Sequence, residues 1–189
     1  VGSGGFFNGG GYAVLRSVSW NGNRGAVTWI DPAAPVTGAL SASNSLVGAN
    51  ANDSIGSSGI TGMSNGGYFV RSISFAGGAG AVSVGTGTAG ISGIVSASNS
   101  LVGQTAGDNY GGVVSEVFSS GRLLVQAANA DSNGLTNNGR IHLYSGGAGG
   151  GGGPSGALGT QTFATNPTGD VTITPAQITA ITNTGTAVV

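Results

Sequence analysis

Charge is what this chain has least of. Only 6% of its 189 residues are Asp, Glu, Lys or Arg, where an ordinary globular domain carries about a quarter. Lysine is absent, and the cations are Arg16, Arg24, Arg71, Arg122 and Arg140. A net charge of −1 without a basic cluster argues against nucleic acid, which needs several cations facing its phosphates. It also argues against electrostatic attachment to an anionic membrane. No apolar run approaches the roughly 18 residues of a helical span, so membrane insertion is not expected. Cysteine is absent and histidine occurs once, at His142. That supply excludes zinc and iron–sulfur sites of the usual kinds, and no cofactor is expected. The missing thiols leave the redox compartment open, although such a composition suits a large exported protein.

What the chain has instead is glycine, 40 residues of it, set among small and β-branched residues with Ser, Thr and Asn. Hydrophobic residues make up 39% and the mean hydropathy is +0.21, too apolar for a chain kept unfolded by polarity. Such a mixture suits stacked strands and turns. It is also strongly periodic. Gly38-Ala39-Leu40-Ser41-Ala42-Ser43-Asn44-Ser45-Leu46-Val47-Gly48 returns as Gly93-Ile94-Val95-Ser96-Ala97-Ser98-Asn99-Ser100-Leu101-Val102-Gly103, 55 residues further on. At the same spacing Gly25-Ala26-Val27 becomes Gly80-Ala81-Val82, Arg16 becomes Arg71, and Asp53 becomes Asp108. A period of this length marks a repeat architecture.

Period-2 patterning reads residues 12–20 as a long strand, Asn21-Gly22 as a hairpin turn, 25–29 as the returning strand and 39–47 as a third. The second copy follows with strands over 60–63, 68–75, 80–84 and 94–102. In the third, 113–118, 123–127 and 139–144 keep the rhythm without the Ser-Asn signature. The expectation is an all-β fold of tandem repeats of about 55 residues with short antiparallel strands, propeller-blade-like or β-solenoid-like, and no substantial helix. The β-repeat region spans 1–145, in copies over 1–52, 53–107 and 108–145. A glycine-rich linker fills 146–156, and a β-rich C-terminal segment fills 157–189. The opening Val1-Gly2-Ser3 already lies in the repeat pattern, as expected of a mature form or a segment.

The units Asn65-Gly66-Gly67-Tyr68-Phe69-Val70, Gly25-Ala26-Val27-Thr28-Trp29 and Ser96-Ala97-Ser98-Asn99-Ser100-Leu101-Val102-Gly103 resemble repeats of very large secreted bacterial surface proteins, the filamentous-haemagglutinin-like exoproteins and adhesins. The tail from Ile173-Thr174-Pro175 onward is similar to the entry into their β-helical sections. The resemblance implies an extracellular or cell-surface location and a structural or adhesive role, but no activity.

Several strings mimic catalytic or binding motifs. Gly85-Thr86-Gly87-Thr88-Ala89-Gly90 fits G-x-G-x-x-G, which binds a dinucleotide only where its glycines open a helix; here none is expected to follow. Gly62-Met63-Ser64-Asn65-Gly66 fits the hydrolase elbow G-x-S-x-G, with Asp108 or Asp131 and His142 following in hydrolase order. Yet Tyr68-Phe69-Val70 continues as strand, and an outward-facing histidine is the ordinary reading of His142. Asn50-Ala51-Asn52-Asp53 and the stretch from Asn129 to Gly134 offer oxygen atoms to calcium without the spacing of a calcium loop. No enzyme is expected.

Two structural expectations remain. Arg16 and Arg71 fall on apolar strand faces, where an unpaired guanidinium is costly. Asp53 and Asp108 each lie 37 residues later, so the pairs Arg16–Asp53 and Arg71–Asp108 are expected. Tyr12, Trp20 and Trp29 are candidate sugar-facing aromatics for the rival role, a carbohydrate-binding propeller-like module holding surface glycans. The favoured role is a fibre or surface stalk that self-associates through strand edges, with residues 171–189 as the expected joining stretch.

Overall fold

The computed structural model describes residues 1–117, 122–131, 136–145 and 157–161. Thirteen short strands form three sheets among them. The first sheet joins β1 (Phe6–Asn8), β2 (Ala13–Ser17), β3 (Ala26–Ile30) and β4 (Leu46–Val47) as an antiparallel meander. In the second, β5 (Ile60–Gly62), β6 (Tyr68–Ser72) and β7 (Ala81–Gly85) are followed in the sheet by β9 (Leu101–Val102). The third runs β10 (Val113–Val117), β11 (Arg122–Ala127), β12 (Arg140–Ser145) and β13 (Ala157–Gln161). The remaining strand, β8 (Gly93–Ile94), lies in the second copy but adds in parallel to β4 of the first sheet.

Register carries the repeat into space. Arg16 stands opposite Val27 and Arg71 opposite Val82, so β2–β3 and β6–β7 are the same pairing displaced by 55 residues. Side chains of successive strand residues point to opposite faces, and both faces of the second sheet are buried. Tyr68, Val70 and Ala81 pack with Val14, Val27 and Leu46 of the first sheet and with Tyr12 just ahead of β2. Phe69, Val82 and Leu101 pack with Leu123 and Val125 of the third. A sheet covered on both sides is apolar throughout rather than alternating, which explains the unbroken Tyr68-Phe69-Val70 run. Burying each such valine contributes about 1.5–3 kcal/mol relative to leaving it in water.

The all-β, tandem antiparallel reading therefore holds, and among the described residues the sheets close into neither a propeller ring nor a solenoid. Several boundaries differ. The strand expected over 12–20 ends at Ser17, and the chain reverses through Trp20–Asn23 rather than through a two-residue hairpin. Asn21, Gly22 and Asn23 there have φ of 49°, 68° and 61°, as do Ala76, Gly77 and Gly78 at 50°, 70° and 89° in the second copy. The strand expected over 39–47 shrinks to β4, and the one over 94–102 divides into β8 and β9, which belong to different sheets. The second copy is thus not a self-contained blade. β13 pairs with β12, so the third sheet continues past the boundary placed at 145. The glycine linker over 146–156 and the joining stretch over 171–189 lie outside the described residues.

Candidate functional site

The stretch that repeats best is a turn, and Asn44 organises it. Its Oδ1 accepts from Ser41 N at 2.9 Å and from the Ser45 hydroxyl at 3.0 Å, while its Nδ2 donates to the Ala39 carbonyl at 3.0 Å. Asn99 makes the same three bonds, to Ser96 N, the Ser100 hydroxyl and the Ile94 carbonyl. Short polar side chains that bond their own backbone compete with strand pairing, which is why no strand runs through Ser-Ala-Ser-Asn-Ser. The turn is then tied to its sheet by buried hydroxyl pairs, Thr28 with Ser45 and Ser83 with Ser100, each at 2.7 Å. Asn three residues after Ser was the available signal for this turn.

Beyond the turn each copy closes with a backbone clasp. Gly48 N donates to Gly25 O, Ser54 N to Asn23 O and Ile55 N to Arg24 O. In the second copy Gly103 N donates to Gly80 O, Asn109 N to Gly78 O and Tyr110 N to Ala79 O. The chain passes so close that a Cβ on Gly25 would lie 2.2 Å from Ile55 N, and one on Gly80 would lie 2.4 Å from Tyr110 O. The residues just past the clasp then bond the next sheet: Ser58 N to Arg71 O, and Gly111 N to Gln126 O. The clasp is therefore the joint between one repeat and the next.

The charged residues serve this joint through backbone partners, and the expected arginine–aspartate pairs are replaced. Arg16 Nη1 donates to the Gly56 carbonyl at 2.8 Å. Arg71 donates to the carbonyls of Ser58 at 2.7 Å and Gly112 at 3.1 Å. Asp53, only 3% exposed, accepts from Asn50 N at 2.8 Å and, across the joint, from Ala76 N at 3.1 Å. Asp108, 2% exposed, accepts from Gln104 N and Thr105 N at 3.0 Å each. Equal spacing in sequence reflects one joint used twice. Each charge meets oriented peptide groups, which satisfy a buried ion as a counter-charge does.

Nor do the candidate aromatics form a sugar platform. Tyr12 is in the core, with ring centroids of Phe7, Trp29 and Tyr68 at 6.2, 6.3 and 5.8 Å, and its hydroxyl donates to the Gly66 carbonyl at 3.1 Å. Burial raises its hydroxyl pKa, and that of Tyr68 more strongly. The Ile91 backbone approaches the Tyr68 hydroxyl and partly offsets the rise, although not in hydrogen-bond geometry. Trp29 is half-buried beneath Gly90, where a Cβ would lie 2.4 Å from its own Cβ. Trp20 sits half-buried in the turn after β2. No shared ring face links the three.

The catalytic look-alikes come apart in the same way. Ser64 lies in the turn between β5 and β6 and bonds Glu116 through both its N–H and its hydroxyl. His142 does not face outward: its Nδ1 meets the Tyr110 hydroxyl, the rings lying edge to face with centroids 5.1 Å apart. Burial, aided by Arg140, pushes the imidazole down to about 4, far from the value near 7 that suits a general base. Asp131 accepts from Asn137 N, and Asp108 is committed to its loop. The Gly85–Gly90 string closes as a tight turn with Thr86 opposite Gly90. For calcium, Asp53 is buried with each carboxylate oxygen accepting a backbone N–H, and residues 132–135 of the second candidate lie outside the described ones. No group of three or more metal-ligating acids, histidines or cysteines occurs among the described residues.

Repeated turns, repeated clasps and a sheet buried on both faces define a tandem β-repeat array whose built feature is the contact between neighbouring copies. Comparison with known families agrees on the repeat. A model described as a repeat of unknown function, DUF5650, matches residues 7–57 and again 62–112, together more than half of the chain. The chain belongs to that family. No curated protein matches it.

Proposed function

We propose that this chain is a structural, non-enzymatic β-repeat segment of an extracellular bacterial surface protein, built to form a fibre or adhesive stalk by association of its strands and sheets. The observation that carries the reading is the second sheet, covered on one face by the sheet of the preceding copy and on the other by the third sheet. Stacked arrays of this kind derive their stability from nearest-neighbour contacts and extend by adding more. The buried polar groups support it too, because Asp53, Asp108, Asn44 and Asn99 are held by backbone and hydroxyl partners and present no reactive centre. The surface location rests on the resemblance to secreted exoprotein repeats and on a chain without cysteine.

Electron microscopy of the purified chain, paired with a glycan array, tests this reading. Filaments or linear oligomers without glycan binding are expected. Discrete particles that bind a sugar would support the carbohydrate-binding module instead.

A further inference from the structure

Within the chain, the second copy meets the first through a defined set of residues. β8 adds to β4 with Gly93 N donating to Ser45 O and Val95 N to Val47 O, both at 3.0 Å. Ile91 packs into the shared core, and Val95 is 3% exposed. Ile60, opposite Val70 in the β5–β6 pair, lies against the same core. All of these groups face the preceding sheet.

The first copy carries the same set on a face against which no sheet packs among the described residues. Val36, the counterpart of Ile91, is 37% exposed. Leu40, the counterpart of Val95, is half-exposed, as is Leu15, the counterpart of the fully buried Val70. Phe6, opposite Leu15 as Ile60 is opposite Val70, is 73% exposed. The edge segment is already shaped for pairing. Gly38 has φ +84° where Gly93 has +110°, and Asn44 holds the Ala39 carbonyl as Asn99 holds that of Ile94. Apolar residues thus stand in the first copy at positions that the second copy buries.

At the other end, the third sheet turns Leu123 and Val125 toward the second sheet. Alternation puts Leu124 and Gln126, with their cross-strand partners Leu143 and Ile141, on the opposite face, and all four are half-exposed. Leu124 is the 55-residue counterpart of Phe69, which is itself buried against the following sheet. In sheet order β13 takes the place that β4 holds in the first sheet.

We infer that residues 36–40 and the outer face of the first sheet dock onto the third sheet of a second copy, head to tail, repeating the contact between copies one and two. Gly38 N and Leu40 N donate to the fourth strand of the neighbour, and Phe6, Leu15, Val36 and Leu40 cover its outer face. The two surfaces differ, so the contact is heterologous and extends into a filament rather than closing as a dimer. This inference rests on the fibre reading and specifies its joint.

Sedimentation velocity over a range of concentrations tests it with the full chain, Leu40→Pro, Phe6→Asp and the exposed-turn control Thr88→Asp. Leu40→Pro removes a donating N–H, and Phe6→Asp puts a charge into the contact without touching the fold's own core. Each is expected to raise the concentration needed for half-assembly at least tenfold, with the melting temperature unchanged, while Thr88→Asp assembles as the unaltered chain does. If both joint variants also assemble as the unaltered chain does, another surface joins the copies; the inference fails and the fibre reading stands. A chain that remains monomeric at every concentration overturns both.

Discussion

Gly80→Ala is expected to destabilise the folded chain by about 3–5 kcal/mol, from strain at a positive φ and overpacking against backbone that has little room to yield. Gly80 has φ +84°, and its new methyl group would meet Tyr110 O at 2.4 Å and Tyr110 N at 2.6 Å. Those atoms belong to the clasp, where Tyr110 N bonds Ala79 O, so relief of the clash means opening the joint to the third sheet. Gly25→Ala repeats the experiment at the first joint, with φ +77° and Ile55 N at 2.2 Å. Gly11, which has nothing within 4 Å of the same methyl position, is the control, and its alanine variant is expected to stay within about 0.5 kcal/mol. Urea denaturation supplies the comparison. If Gly80→Ala and Gly11→Ala unfold alike, the chain does not pass Tyr110 as described.

The second large effect is expected at Asp53. Its carboxylate accepts one bond within its own loop and one from Ala76 N in the next copy. Charge-assisted bonds of this kind contribute about 1.5–3 kcal/mol each, and their loss strands amides that were satisfied. Asp53→Ala is therefore expected to cost about 3–4 kcal/mol, and Asp53→Asn, which keeps one accepting oxygen, about half as much. Asp108 serves only its own loop through Oδ2, so Asp108→Ala is expected to cost less. Since Arg16 bonds the Gly56 carbonyl rather than Asp53, Arg16→Gln and Asp53→Asn should add within about 0.5 kcal/mol in a double-mutant cycle. Coupling of 1 kcal/mol or more would restore the ion pair.

Both effects concern joints that the sequence announced only as identities. The 55-residue period gave away the fold class because like residues bury like surfaces, and Val27 and Val82 do stand in equivalent places. The strand core at 13–17 was legible from alternation, and those at 26–30 and 68–72 from their matched places in the repeat. Where the reading went astray, one polar side chain outweighed the pattern: Asn44 bends a stretch whose Leu and Val content suggests a strand. The clasp was hidden for a different reason. Its partners are peptide groups, and backbone bonds leave no trace in side-chain chemistry beyond the glycines that permit close approach. The Arg16 and Asp53 repeat was visible, but equal spacing shows that two residues share a role, not that they touch. Parallel addition of β8 to the first sheet is a long-range choice that local pattern does not encode.

Hydrogen exchange of the assembled chain tests the central claim, that copies join as repeats join. In the unassembled chain the amides of Gly93 and Val95 should already exchange slowly, because they bond β4 and its flank, whereas those of Gly38 and Leu40 should exchange freely. After assembly Gly38 and Leu40 are expected to become protected to the same degree. Free exchange at both amides in assembled material would contradict the account.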